Sequence, residues 1–233
     1  MLRIAIVAAL EREIAALIKP ATRVEREHDG RRFTFFEHDD TVLVCGGIGL
    51  ESSRHAAEAV IALYHPVLVQ SVGFAGALEP NMRVGDIFVP AVVVDARDGS
   101  RAEIAEGKGT LLTFMSVASA KQKVSLAQAY GAQVVDMEAA SVAAAARAHG
   151  IRFTATKVIS DGLDFEMPET ARFIDSHGRF KSASFALFVA LRPWLLPRVA
   201  TLARNSRKAA KSLAEHLKSS HRSFHDIVEA KTS

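Results

Sequence analysis

The sequence predicts an α/β fold: a single domain of three layers, α/β/α, around a central mixed sheet and finished by a basic C-terminal helix. Three observations predict it. Strand-like and helix-like runs alternate along 233 residues, a length that suits one α/β domain with a full core. Several strand-like runs, 66–72 above all, are apolar throughout, as strands covered on both faces are. A hydrophobic share of 49% with 24% charged residues is ordinary globular composition.

Strands are expected at 2–9, 31–37, 41–45, 67–72, 85–94, 111–117, 133–136 and 152–160, all rich in Val, Ile, Leu and Phe. Helices are expected at 10–18, 50–64, 120–130, 137–149, 182–191 and 198–218. The strand at 41–45 runs into the glycine turn Gly46-Gly47-Ile48-Gly49, and the helix after it carries Ser52 and Ser53 in its first turn. Such a turn lets backbone approach a ligand, and a helix N-terminus favours anions or ligand oxygens. The strand at 67–72 ends in a second small-residue turn, Gly73-Phe74-Ala75-Gly76. The helix at 137–149 is almost all small residues and closes on Gly150, so it packs tightly on the sheet. No repeat or low-complexity linker divides the chain, and 1–233 reads as one domain with 198–233 as a basic helical tail.

The net charge of +3 hides an asymmetry. Arg192, Arg198, Arg204, Arg207, Lys208, Lys211 and Lys218 face Glu215 alone across 192–218. A solvated helix face explains this best, and nucleic acid is not an expected partner. The apolar stretch at 185–203 is broken by Arg192, Pro193, Pro197 and Arg198, short of the ~20 residues a span needs. Phe185, Phe188, Trp194, Leu195 and Leu196 beside arginines do allow weak contact of 185–218 with a membrane surface. The single cysteine, Cys45, lies in an apolar run and forms no intrachain disulfide. Glu11, Arg12 and Glu13 directly follow the short apolar run at the N-terminus, unlike a signal peptide. Both features fit a reducing, cytoplasmic location.

The chemistry is carried by three acidic positions. The run at 4–9 leads into Glu11 and Glu13, the run at 133–135 into Asp136-Met137-Glu138, and the run at 154–159 into Ser160-Asp161. In open α/β sheets ligands bind outside the carboxyl ends of strands. An unpaired buried charge is costly, so acids at this rim point to a site that handles protons and hydroxyl groups. No histidine group is framed by carboxylates as metal ligands, and no metal is expected.

Taken in order, these segments resemble the nucleoside phosphorylase superfamily and its nucleosidase branch, typified by methylthioadenosine/S-adenosylhomocysteine nucleosidases. Ile4-Ala5-Ile6-Val7-Ala8-Ala9-Leu10-Glu11-Arg12-Glu13 resembles the family's opening strand and catalytic glutamate. Cys45-Gly46-Gly47-Ile48-Gly49 resembles its Ser-Gly-Ile-Gly turn, and Gly73-Phe74-Ala75-Gly76-Ala77-Leu78 with Val84-Gly85-Asp86 its next glycine segments. Val135-Asp136-Met137-Glu138 resembles the ribose-binding Met-Glu motif, and Val158-Ile159-Ser160-Asp161 the motif of the catalytic aspartate. The matches span about residues 1–165.

The resemblance implies the phosphorylase/hydrolase-like version of the fold, and a purine nucleoside, with adenine as base, as the substrate. It also implies catalytic roles for Asp161, protonating N7 of the departing base, and Glu13, activating water. Met137, Glu138, Ser160, Phe74, Gly73 and Gly47 would bind substrate, with Glu138 on the ribose hydroxyls. A homodimer is implied too. Two features depart from the pattern: the segment at 95–110 is short and polar, and Ser119-Ala120-Lys121-Gln122-Lys123 holds no aromatic to stack on the base. Together with 192–198, the latter looks closer to hopanoid-associated phosphorylase-like relatives, whose substrate is a lipid nucleoside.

A carboxylate at the nucleophile position suits water better than phosphate, so hydrolysis without a cofactor is the expected reaction. Arg12 and Arg54 are the cations that would serve inorganic phosphate if the chain were instead a phosphorylase. A non-catalytic nucleoside-binding module is the further alternative. A nicotinamide-dependent oxidoreductase is disfavoured, because Gly47-x-Gly49-x-x-Ser52 departs from the dinucleotide fingerprint.

Overall fold

The computed structural model describes residues 3–166, 170–175 and 178–232, without the side chains of Ala171 and of residues after Ser219. Its strands form one mixed sheet: β1 (Ile4–Ala8), β2 (Thr22–His28), β3 (Arg31–His38), β4 (Thr41–Cys45), β5 (Leu68–Ala77), β6 (Ile87–Phe88), β7 (Val92–Asp95), β8 (Arg101–Glu103), β9 (Thr110–Thr113), β10 (Val134–Asp136) and β11 (Arg152–Asp161). The helices are α1 (Ala15–Ile18), α2 (Leu50–Tyr64), α3 (Ala120–Tyr130), α4 (Ala139–Ala148), α5 (Ser182–Ala190) and α6 (Leu196–Thr232). The strand order is β2-β3-β4-β1-β5-β10-β9-β7-β8, with β11 pairing the other edge of β5 and also β6.

Alternation along β1 builds the layers. Ala5 and Val7 point into a core shared with α2 and α4, through Ala56, Val60, Val142 and Ala146. Ile6 and Ala8 point the opposite way, against Ala209, Leu213 and Leu217 of α6. A sheet apolar on both faces must be covered on both, and the three-layer arrangement follows.

The central strand, β5, sets the position of the site. On one edge Leu68–Ser71 pair with β1 in parallel, whereas Gly76 and Ala77 pair with β10 antiparallel. The carboxyl ends of β1 and β10 therefore point at each other across the stretch at 72–75. On the opposite edge β11 runs parallel to β5 until a bulge at Ser160 lets Asp161 fall opposite Gly76. Bulges of this kind re-aim a side chain.

Several elements differ from the sequence expectation. The helix expected at 10–18 is a 3₁₀ turn, Glu11–Glu13, followed by the four-residue α1. Strand β2 is too charged to read as a strand, because Thr-Arg-Val-Glu-Arg-Glu-His lies on the sheet edge with little of it covered. The strand expected at 85–94 is split into β6 and β7 by Pro90, which has no N–H for a ladder. The short segment at 95–110 makes the turn into β8, which pairs with β7, and Arg97 forks onto Asp95 with Nη2 2.7 Å from Oδ2.

The basic tail is helical and its basic side chains at Arg204, Arg207, Lys208 and Lys211 are exposed, while another face of it packs on the domain. Ala209, Leu213 and Leu217 recur every four residues along α6 and are buried against the sheet, so this stretch is core and leaves nothing apolar at 209–217 for a membrane. Leu187, Leu191, Trp194 and Leu196 stay exposed. Among the described residues no single helix is long and apolar enough to cross a membrane; α5 joined to Pro193–Ser219 passes that test only as a pair bent by 110°.

Candidate active site

A cavity of about 490 Å³ opens where β1, β10 and β11 end. Glu13, Glu138 and Asp161 all line it, together with Phe74, Met137 and Ser160. The acids at the three strand ends thus converge on one space.

Glu13 reaches the cavity because the 3₁₀ turn folds it back over the end of β1, where Oε2 accepts N–H bonds from Ala9 (3.2 Å) and Leu10 (3.3 Å). It is only 5% exposed. Burial pushes its pKa up, while Lys157, the Leu10 amide and Arg12 pull against that. Gly73 lies directly beneath it: a Cβ there would stand 2.9 Å from Oε2, so only glycine leaves the carboxylate its place.

Glu138 precedes α4 and is held from both sides. The Gly49 amide donates to Oε1 at 2.9 Å and the Met137 amide to Oε2 at 3.2 Å. Gly49 has φ +98°, a conformation that favours glycine and turns its N–H toward the acid. Burial first, and then the neighbouring Asp136 charge, push Glu138 up to about 8.

Beneath the cavity lies a layer of paired charges. Asp136 is buried and accepts from Thr113 Oγ1 (2.7 Å), the Ala139 amide (2.9 Å) and Lys157 Nζ (2.9 Å). Lys157 also donates to Ser71 Oγ at 3.0 Å. Burial pulls Lys157 down, but Asp136, Glu138 and Glu13 outweigh it and hold the ammonium above its ordinary value. Glu13, Glu138 and Asp161 share the lining of the cavity with Arg12, Lys123 and Arg207, and the pair of Asp136 and Lys157 lies beneath them.

Asp161 is 4% exposed and fully engaged. Lys123 forms an ion pair with Oδ2, and Ser160 Oγ lies 2.6 Å from Oδ1. The far wall is made by Ile174, Phe180 and Phe185 with Val199 and Leu202 of α6, and Ser206 and Arg207 of the same helix also line the cavity.

Gly47 does not join this group. Its amide is spent on the Ala9 carbonyl at 3.0 Å, and it lies in a neighbouring hollow with Arg31, Arg32 and Arg179. Gly49 is the glycine that serves the cavity. Arg54 is likewise elsewhere, clamped on the surface of α2 by Glu58 (2.7 Å) and Glu51 (3.2 Å), while Arg12 lines the cavity. Cys45 is half-buried, and burial together with Glu13 and Glu11 pushes its thiol well up.

Sequence reasoning missed Lys123, Asp136 as the motif's anchor, and Lys157. Each left a signal. Lys157 stands inside the run at 154–159, rich in β-branched residues, and Lys123 stands at i, i+3, i+4, i+7 with Leu126, Ala127 and Tyr130 on the inner stripe of α3.

The phosphorylase superfamily model matches residues 3–110 and 109–191. The chain belongs to the phosphorylase superfamily. An aminodeoxyfutalosine nucleosidase of Campylobacter jejuni is 29% identical over 91 residues, which are 38% of this chain and 40% of that protein. A 5′-methylthioadenosine/S-adenosylhomocysteine nucleosidase of Hydrogenovibrio crunogenus is 30% identical over 91 residues, 38% of this chain and 39% of that protein. The matched segment thus spans about two fifths of the length of these curated relatives. Among solved structures, the futalosine hydrolase of Helicobacter pylori has a TM-score of 0.66 at 19% identity, covering 94% of this chain and 98% of that one. The 5′-methylthioadenosine nucleosidase of Arabidopsis thaliana has a TM-score of 0.72 at 16% identity, with 94% of each chain covered. These confirm the α/β fold of this superfamily.

Proposed function

We propose that this phosphorylase-superfamily protein cleaves the N-glycosidic bond of a purine nucleoside with water, releasing adenine. The observation that carries the reading is the convergence of Glu13, Glu138 and Asp161 on one cavity between strand ends. Glycosidic cleavage passes through an oxocarbenium-like state and needs an acid on the leaving group and a base on the nucleophile, on opposite sides of the sugar. Asp161 faces the base, and Glu13 takes a proton from the attacking water. Glu138, fixed by the Gly49 and Met137 amides, accepts from the ribose hydroxyls, and those bonds strengthen as the sugar becomes positive. Met137 and Phe74 pack against the sugar and base.

Water is preferred to phosphate because the group beside the sugar is a buried carboxylate that would repel an anion; of the two cations expected to serve phosphate, Arg54 is held on α2 and Arg12 lines the cavity. The apolar wall of Phe180, Phe185 and Leu202 suits an uncharged substituent on the 5′ carbon. The nucleosidase names of the relatives agree with this chemistry.

The test is Asp161→Asn against the unaltered protein, with adenine release and nucleoside binding measured separately. Turnover is expected to fall by roughly 10²–10⁴-fold while binding persists. Unchanged turnover would remove Asp161 from the reaction.

A further inference from the structure

We propose that Lys123 supplies the proton that the departing base takes up, with Asp161 as the relay between them. This rests on the nucleosidase reading of the site and goes beyond it by assigning the source of the proton. A reciprocal cap fixes the start of α3: the Gln122 amide donates to Ser119 Oγ at 3.3 Å and the Ser119 amide to Gln122 Oε1 at 3.0 Å. That start turns Lys123 inward, where its side chain is 2% exposed and lines the cavity. Burying an ammonium is costly without a partner. Nζ finds two, the Oδ2 of Asp161 and the Gly162 carbonyl at 2.6 Å.

The consequence concerns Asp161. Its Oδ2 accepts from Lys123 and its Oδ1 from Ser160. With Ser160 on Oδ1, Lys123 Nζ is the charged donor in direct contact with Oδ2, the oxygen through which a proton can be passed on. The mobile proton beside the base is the one on Lys123 Nζ. As the C1′–N9 bond breaks, its electron pair passes into the purine ring. An Nζ proton moves to Oδ2 of Asp161, and a proton moves from there to N7. Lys123 is left as the neutral amine and Asp161 as the carboxylate. Water adds to C1′ and its proton goes to Glu13, so the charge of the site is unchanged. The proton on Glu13 reaches solvent, and solvent returns one to Lys123 after the products leave.

Arginine distinguishes a proton source from a mere counter-ion, because a guanidinium keeps the pair with Asp161 but does not release a proton in a protein. The experiment compares wild type, Lys123→Arg and Lys123→Met on adenosine-type and N7-methylated adenosine-type nucleosides. An N7-methylated base already carries the positive charge and departs without protonation. With the plain nucleoside, both variants are expected to lose about 10²–10⁴-fold in kcat. With the N7-methylated nucleoside, both are expected to stay within about tenfold of wild type, which also shows that they are folded. The alkaline limb of the wild-type kcat profile is expected to vanish on the methylated substrate. Lys123→Arg within about threefold of wild type on the plain nucleoside, or equal losses on both substrates, would overturn the proposal. Absence of base release by wild type from either nucleoside would instead overturn the nucleosidase reading itself.

Discussion

Lys157 reaches from the middle of β11 to Asp136 at the end of β10, with Nζ 2.9 Å from Oδ2, although β5 lies between the two strands. Ser71 of β5 completes the crossing at 3.0 Å. The pair fixes the strand end from which Met137 and Glu138 project, and it does so in full burial. A buried pair of this kind adds little net stability, but breaking it strands a charge.

Lys157→Met is therefore expected to destabilise the fold by about 3–5 kcal/mol, and the double variant Lys157→Met with Asp136→Asn by less than the single one. Urea unfolding of both variants checks this. A single variant as stable as wild type would mean that Asp136 has another cation.

Glu138 makes stability depend on pH in a defined direction. Its pKa is raised by burial and by Asp136 from 4.5 to about 8 in the folded chain. Between those values the folded state holds a proton that the unfolded state has lost. Stability contributed by this group is thus full below about pH 4.5 and falls as pH rises toward 8. Glu138→Gln is expected to match wild type near pH 5 and to exceed it near pH 8 in thermal melts, so that the two curves diverge with rising pH. Parallel curves would contradict the burial argument.

Gly73→Ala tests the seat of Glu13. The added Cβ would stand 2.9 Å from Oε2 and must displace the carboxylate. The expected result is a loss of about 10²-fold or more in kcat with a smaller change in KM, since water activation suffers more than binding. Equal kcat would mean that Glu13 has no fixed position to lose.

The C-terminal helix is part of the core. Leu213 is fully buried in the core cluster that holds Ile6, Leu43, Val72 and Val158, and Leu213→Ala is expected to cost about 2–5 kcal/mol in denaturant unfolding. Trp194→Ser, at a position 68% exposed, is expected to stay within about 0.5 kcal/mol. Equal effects would return α6 to the status of a tail.

Much of this was legible in the sequence because the signals are local. Alternating runs gave the layers, and the acids at 13, 138 and 161 could be placed at strand ends from hydrophobicity alone. What was illegible depends on tertiary partners. The placement of Lys123 and Lys157 hints at burial, but their partners show only when the sheet brings Asp161 and Asp136 to them. Gly47 and Gly49 are indistinguishable in a glycine turn, and only the register with Ala9 shows which amide is already taken. The charged β2 reads as loop because its pairing with β3, not its own burial, holds it extended. The seven basic side chains between 192 and 218 masked an apolar stripe of four-residue spacing.

The most direct measurement is the product balance from 5′-methylthioadenosine in phosphate-free buffer. Adenine and free reducing sugar are expected to appear in equal amounts, at a rate that added phosphate does not raise and that Glu13→Gln lowers by about 10²-fold or more. Adenine that forms only with phosphate, accompanied by a sugar phosphate, or no adenine at all, would contradict hydrolysis by these acids.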